Sequence, residues 1–348
     1  MFEINQSSIA NVDVNLAAVL LMSGVLIMTL KRGHSGKATD KVYLYMVIAA
    51  FVGAVAELGV AFFQGPENPG SHALVVALNT ILDLSITIQL LFLLLYVFLT
   101  VHDNRDYLRR RMKFYIIPFA VLVVMIVVNS FTGILWYFDE NKIYHENDLL
   151  YAFYDLILYM YLILAIYQYA KYRKESGQAR FFSIWYFMIP TVWGTILEWV
   201  TPVLGFVLGL SIAQAMLFIM SSQKASFTDE GSGFFNIHYL KILSDQIKKG
   251  EYEPHLVIRY HLPEKKDLTD FSRKLKEILP DQCDTIKLDD TNYITLIYGD
   301  TRGLINMLLD DIQMISADLG MDIEYGHAAK QKDESPMEFF EKNVVIGG

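Results

Sequence analysis

Long apolar runs fill the first two thirds of the chain and then stop. A bilayer core takes about 20 consecutive, mostly apolar helical residues. Seven stretches fit that requirement, at 14–30, 42–64, 74–100, 114–137, 149–170, 181–200 and 203–221. The pattern predicts an α-helical membrane bundle of seven spans over residues 1–221. Residues 222–233 read as a juxtamembrane linker. From 234 to 348 the periodicity changes to shorter alternating elements. Helices are predicted at 234–249, at 267–279 (Leu268, Phe271, Leu275 and Leu279 on one face) and at 304–319. Strands are predicted at 256–260, 285–288, 293–298 and 321–325. The Asp-Asp-Thr-Asn segment between the second and third strands is a hairpin signal. This order predicts an α/β (α+β) domain with a small mixed sheet.

Composition agrees with a membrane protein. Of 348 residues, 53% are hydrophobic and 19% charged, against about a quarter charged in soluble domains. The net charge of −9 is uneven. From Ser222 onward there are 15 basic and 23 acidic residues, net −8, which leaves 14 and 15, net −1, before it. An acidic tail argues against nucleic acid as a partner, since that needs a basic face. The lone Cys283 excludes a disulfide framework and a multi-cysteine metal site. His238, His255, His261 and His327 lack metal-ligand spacing. No metal, cofactor or catalytic residue is assigned. The first stretch lacks a basic flank before it, so a cleaved signal peptide is not expected.

Basic residues set the predicted orientation. Loops one, three and five hold 13 Lys and Arg, while the N-terminal segment and the even loops hold one, Lys142. The positive-inside rule then places the N-terminus outside and the C-terminal domain in the cytoplasm. The last stretch has no lysine for a retinal Schiff base.

Four carboxylates interrupt the apolar stretches: Glu57, Asp83, Asp155 and Glu198. Acids in lipid are costly and by default mark function. With the orientation above, all four fall in the outer half of the bilayer. Asn79, Asn129, Tyr154, Trp193 and Trp199 are close in sequence, and the outer loops add Glu67, Asp139, Glu140, Glu146 and Asp148. The candidate sensor pocket is Glu57, Asp83, Asp155, Glu198, Asn129 and Trp193, open outward and suited to a cation, an amine or protons. The competing reading has each acid at the headgroups or paired with a hydroxyl, and the tryptophans in an interfacial belt.

The segment SSQKASFTDEGSGFFNIHYLKIL, the hairpin IKLDDTNYITLIYG and the strand MDIEYGHA carry a resemblance. The first is similar to the start of GGDEF (diguanylate cyclase) domains, which read D-x-L-T-G-L-x-N-R-R after a membrane helix. Asp229, Gly233, Phe234, Asn236 and Leu240 match that frame, while Ser232 and Ile237 replace its threonine and first arginine. The hairpin resembles the family's R-x-G-G-D-E-F. The membrane half, with VNSFTGILWYFDENKIYHENDLLY, is similar to the multi-span sensors that precede such domains in bacteria. The resemblance implies a location in the bacterial plasma membrane and a role in cyclic di-GMP signalling.

The departures bear on function. In this frame Asp289 and Asp290 replace the glycines that approach GTP, and Thr291, Asn292 and Tyr293 replace the Asp, Glu and Phe. Side chains where glycines stood would block phosphates, and Asp and Asn suit a solvated turn. Arg259 or His261 stands near the expected metal-binding aspartate, where a basic group repels a cation. The domain is also shorter than the family at its C-terminal end. The resemblance therefore implies a signal receptor whose cyclase-like domain is catalytically inactive and acts by contact with a cytoplasmic signalling protein, as a homodimer. The alternatives are a carrier or channel with a regulatory tail, and a divergent nucleotide-binding enzyme using Asp289 and Asp290.

Overall fold

The computed structural model describes residues 6–32, 38–66, 68, 70–101, 105–172, 182–201, 205–229, 231–250, 252–262, 268–279, 283–298, 304–331 and 333–345. The chain forms two compact units that divide between Ser221 and Ser222.

The first unit is helical: α1 (Gln6–Lys31), α2 (Ala38–Phe63), α3 (His72–Val101), α4 (Arg105–Thr132), α5 (Asp148–Tyr172), α6 (Trp185–Val200) and α7 (Phe206–Ser226), the last of which ends beyond Ser221. Among the described residues six of these are long and apolar enough to cross a membrane. The exception is α6. Its 16 residues span about 24 Å at 1.5 Å per residue, short of a hydrocarbon core of about 30 Å. Helix α3 is the centre and packs against α2, α4 and α5. Leu90, Leu93, Leu94 and Phe98 on it are buried, while Leu20, Val124, Phe131 and Ile163 on α1, α4 and α5 expose the apolar surface a bilayer would cover.

Helices α6 and α7 cross at backbone contact. A Cβ added to Gly209 would lie 2.5 Å from the Pro190 carbonyl oxygen, and one added to Gly194 would lie 2.7 Å from that of Gly205. Such close approach is the use of small residues between membrane helices.

The predicted stretch 114–137 overruns its helix. Gly133, at φ 64°, stops α4 and donates its N–H to the Asn129 carbonyl at 2.8 Å, a glycine C-cap. A hairpin follows, β1 (Trp136–Phe138) antiparallel to β2 (Tyr144–Glu146). It is tied to the α2–α3 connection. Lys142 donates from Nζ to the Asn68 carbonyl at 2.6 Å, and Gly65 N–H donates to the Lys142 carbonyl at 3.1 Å.

The second unit contains α8 (Tyr239–Lys248), β3 (Pro254–His261), α9 (Leu268–Ile278), β4 (Cys283–Lys287), β5 (Asn292–Tyr298), α10 (Leu304–Leu319), β6 (Glu324–Ala329) and α11 (Pro336–Phe340), then one π-helical turn. The strand order is β4-β5-β3-β6. Every pairing is antiparallel. The expected mixed sheet is therefore corrected: among the described residues its parallel element is one bridge, Phe235 to Ile286. From β3 to β6 the order is βαββαβ, the split-βαβ connectivity. Leu256, Ile258, Tyr260, Phe271, Leu275, Tyr293, Leu308 and Ile312 form the core.

Two predicted elements shift. The helix expected from 234 starts at Tyr239, because Phe235 is extended along β4. Phe235 donates to the Thr285 carbonyl at 2.9 Å and accepts from Lys287 N–H at 2.7 Å. The strand expected at 321–325 runs from Glu324 to Ala329, since Gly320 at φ 59° closes α10 and Ile323 turns into the core. Asp229 and residues 231–233, expected as linker, belong to a turn in which Asp229 accepts from Ser232 N–H and Oγ at 2.8 Å and from Lys287 Nζ at 3.2 Å.

Candidate functional site

Four helices each bring one acid to a common cavity. Glu57 on α2, Asp83 on α3, Asp155 on α5 and Glu198 on α6 all line a space of about 610 Å³ at the hairpin end of the first unit. Glu146 and Asp148 add two more carboxylates to its wall. Among the described residues that line it, none is lysine or arginine. Lys142, on the same hairpin, is turned to the loop carbonyls of Asn68 and Gly70 instead.

The acids differ in their surroundings. Asp83 is buried, and Trp136 donates its indole N–H to Asp83 Oδ2 at 2.7 Å. Glu198 Oε2 accepts from the Phe206 N–H at 3.3 Å. Glu57 is 4% exposed, and its Oε2 has no hydrogen-bond partner among the described residues. An unpartnered buried carboxylate oxygen is costly, so Glu57 faces the cavity with an open acceptor. The remaining wall is aromatic and aliphatic. Tyr144, Tyr151, Tyr154, Leu82, Ile86 and Leu158 are part of it. Burial and then the charge of Asp83 push the Tyr144 hydroxyl well above its ordinary pKa, so it stays a hydrogen-bond donor.

Two of the expected pocket residues are not on this wall. Trp193 is 66% exposed, because the buried face of α6 carries Phe187, Pro190, Thr191 and Gly194 instead. Asn129 is buried but works on backbone. Its Oδ1 accepts from Leu135 N–H at 2.6 Å and Trp136 N–H at 3.3 Å, and its Nδ2 donates to the Trp136 carbonyl at 3.0 Å. Asn129 thus fixes the turn that aims Trp136 at Asp83. Of the outer-loop acids, Glu146 and Asp148 reach the cavity, Asp139 and Glu140 do not, and Glu67 lies outside the described residues.

Sequence reasoning missed the hairpin's part. Trp136 reads as an interfacial aromatic, and Tyr144 carries no signal by itself. The usable signal was Gly133 inside an otherwise apolar run, which ends the helix and lets the chain fold back over the bundle.

The second candidate, the β4–β5 turn, is self-contained. Asp289 Oδ1 accepts from Thr291 N–H and Asn292 N–H at 2.8 Å each and from Thr291 Oγ1 at 3.1 Å, and Asn292 Nδ2 reaches both carboxylate oxygens. Burial opposes ionisation here, but the bonds from Asn292 and Thr291 outweigh it and hold Asp289 below the usual carboxylate range. Asp290 sits 3.4 Å from Lys287 Nζ. Tyr293 is fully buried, with its ring packed against Phe234 and Phe271. His261 meets Asn292 across the strands at 3.0 Å. Arg259 donates to the Asn343 carbonyl. The turn's carboxylates are committed to its own fold.

Among the described residues no three His, Cys, Asp or Glu side chains gather as a metal site. No family model matches the chain, and no curated protein matches it.

Proposed function

We propose that this protein is a multi-pass membrane receptor for a cationic ligand. In this reading all seven predicted helices, including the short α6, cross a bacterial plasma membrane. The hairpin end faces outward and the α/β domain acts in the cytoplasm by contact with a signalling protein. The single observation that carries it is the convergence of four intramembrane acids from four helices on one cavity with no lysine or arginine among the described residues of its wall. Carboxylates that share one cavity at low dielectric raise the affinity for any cation that replaces the missing countercharge. The cyclase-like resemblance and its departures at Asp289–Tyr293 supply the output half of the proposal. The closed hydrogen-bond ring of the turn supports a domain that does not turn over nucleotide.

The test uses the full chain in lipid nanodiscs, titrated with an alkylammonium salt. Trp136 touches Asp83, so its emission reports occupancy. The expected result is a saturable emission change with altered amide exchange in residues 227–236. A saturable change at the cavity with no change in the α/β domain would favour the carrier reading. No saturable response to any organic or inorganic cation overturns the proposal.

The carrier reading has one observation in its favour. Asn15 on α1, Gln89 on α3 and Gln214 on α7 are buried, with side-chain atoms lacking partners among the described residues. Polar groups of that kind inside a bundle suit a wetted path. Ion or amine flux into liposomes that vanishes in Gln214→Leu decides it.

A further inference from the structure

The charge and shape of the cavity say more about its ligand than that it is positive. This inference rests on the cation-receptor reading above and narrows it. We propose that the ligand is an extended aliphatic amine carrying two or more ammonium groups, held with its charges at separate carboxylates and its methylene chain along the apolar wall.

Size is the first argument. A space of about 610 Å³ lies in the range of organic-ligand pockets, about 300–1,000 Å³. A bare metal ion does not require it. Distribution is the second. A hard divalent cation gathers six or more oxygens at one point, yet no three acids gather here among the described residues. The carboxylates instead come to the cavity from separate helices, Glu57 on α2, Asp83 on α3, Asp155 on α5 and Glu198 on α6.

Charge balance is the third argument. Glu57, Asp83, Asp155, Glu198, Glu146 and Asp148 all reach this wall. One ammonium can meet only part of a wall on which the acids come from separate helices. A dication spreads its charge as the acids spread theirs. Glu57 Oε2 offers an open acceptor in a 96%-buried side chain (4% exposed), while Asp83 keeps Trp136 on one oxygen. On the same wall Val60, Leu82, Ile86 and Leu158 suit methylenes, and the Tyr151 and Tyr154 rings suit an ammonium by cation–π contact.

The experiment is calorimetric titration of the full chain in nanodiscs. The probes are a series of α,ω-diaminoalkanes of rising length, the n-alkylamines of matching length, and magnesium chloride. The expected result is a length optimum among the diamines, with affinity at least about tenfold above the matching monoamine, the effect of one added ion pair at reduced dielectric. Glu57→Gln and Asp155→Asn should each bring the diamine close to its monoamine. The half-exposed Asp155 tolerates that change should Glu57→Gln misassemble. Trp193→Phe, off the cavity, should bind as the native chain does. Equal binding of monoamine and diamine overturns this inference and keeps the cation receptor. Saturable binding of magnesium alone does the same in favour of an inorganic ion. No binding by any probe overturns the receptor reading itself.

Discussion

Asp83 is buried and Asp229 partly sheltered, and their neighbours give them opposite tasks. Asp83 has one indole donor and a cavity in front of it, so it is left to act on something else. Asp229 is saturated by Ser232 and Lys287 and serves its own turn. Burial pushes the Asp229 pKa up, but the Ser232 hydrogen bonds and the Lys287 ion pair outweigh it and hold the carboxyl below its usual range. A depressed carboxylate stabilises the fold above its unfolded pKa of about 3.9, and that contribution is lost as pH falls through the lower, folded value. Asp229→Asn is therefore expected to cost about 1 kcal/mol at neutral pH, low in the range for charge-assisted bonds because the side chain keeps some water. Amide exchange in residues 227–236 of the full chain should rise about fivefold at pH 7. The difference from the native chain should shrink towards pH 3. An equal difference at both pH values would mean that the charge does not matter there. At this scale the sequence is a good guide to which acids matter, since a carboxylate in an apolar run is conspicuous. It is a poor guide to their partners. Trp193 is near Glu198 in sequence, but helix phase turns it outward, and Asn129, far in sequence from all four acids, is taken up by the Gly133 turn.

Helix α6 is the element on which the site depends most. It is short, carries Pro190, and holds Glu198 one turn beyond the Gly194 contact with α7. Backbone contact leaves no room for a side chain at Gly209, where a Cβ would meet the Pro190 oxygen at 2.5 Å. Gly209→Val should separate α6 from α7, at a cost of about 1–3 kcal/mol for overpacking. Glu198 would move with it. The measurable outcome is a lower melting temperature in detergent together with at least about tenfold weaker ammonium binding, one ion pair's worth at reduced dielectric. Gly24, whose Cβ would meet nothing within 4 Å, is the matched control and should tolerate Ala without either effect. The apolar runs make such helices legible, because bilayer length and hydropathy act on each segment alone. Their ends are less legible. The run through 137 hides a glycine C-cap and a strand, and the start of α8 depends on Phe235 pairing with β4, a contact some 50 residues away that no local pattern encodes.

At the scale of the whole molecule the two units have separate cores and unlike charge, −1 before Ser222 and −8 from it onward. The acidic, amphipathic unit should therefore fold without the greasy one. Where it must be cut follows from its N-terminal arm. Phe234 is 5% exposed, with its ring against Tyr293 and beneath Lys276. Phe235 stacks on Tyr239 at 4.0 Å and bridges to Ile286. A fragment of residues 227–345 keeps all of these and should unfold in urea as a single cooperative transition. A fragment of residues 239–345 loses Phe234, the Phe235 bridge and the Asp229–Lys287 pair together. Removal of one buried Phe alone costs about 3–5 kcal/mol, a large part of the 5–15 kcal/mol that holds a domain of this size. The shorter fragment should show little or no cooperative transition by circular dichroism at 25 °C. Equal stability of the two would mean that the arm only rests on the domain. A difference of the expected size would make residues 227–236, which directly follow α7, part of the folded domain. Phe235 and its pairing with β4 would then be what holds that arm to the sheet.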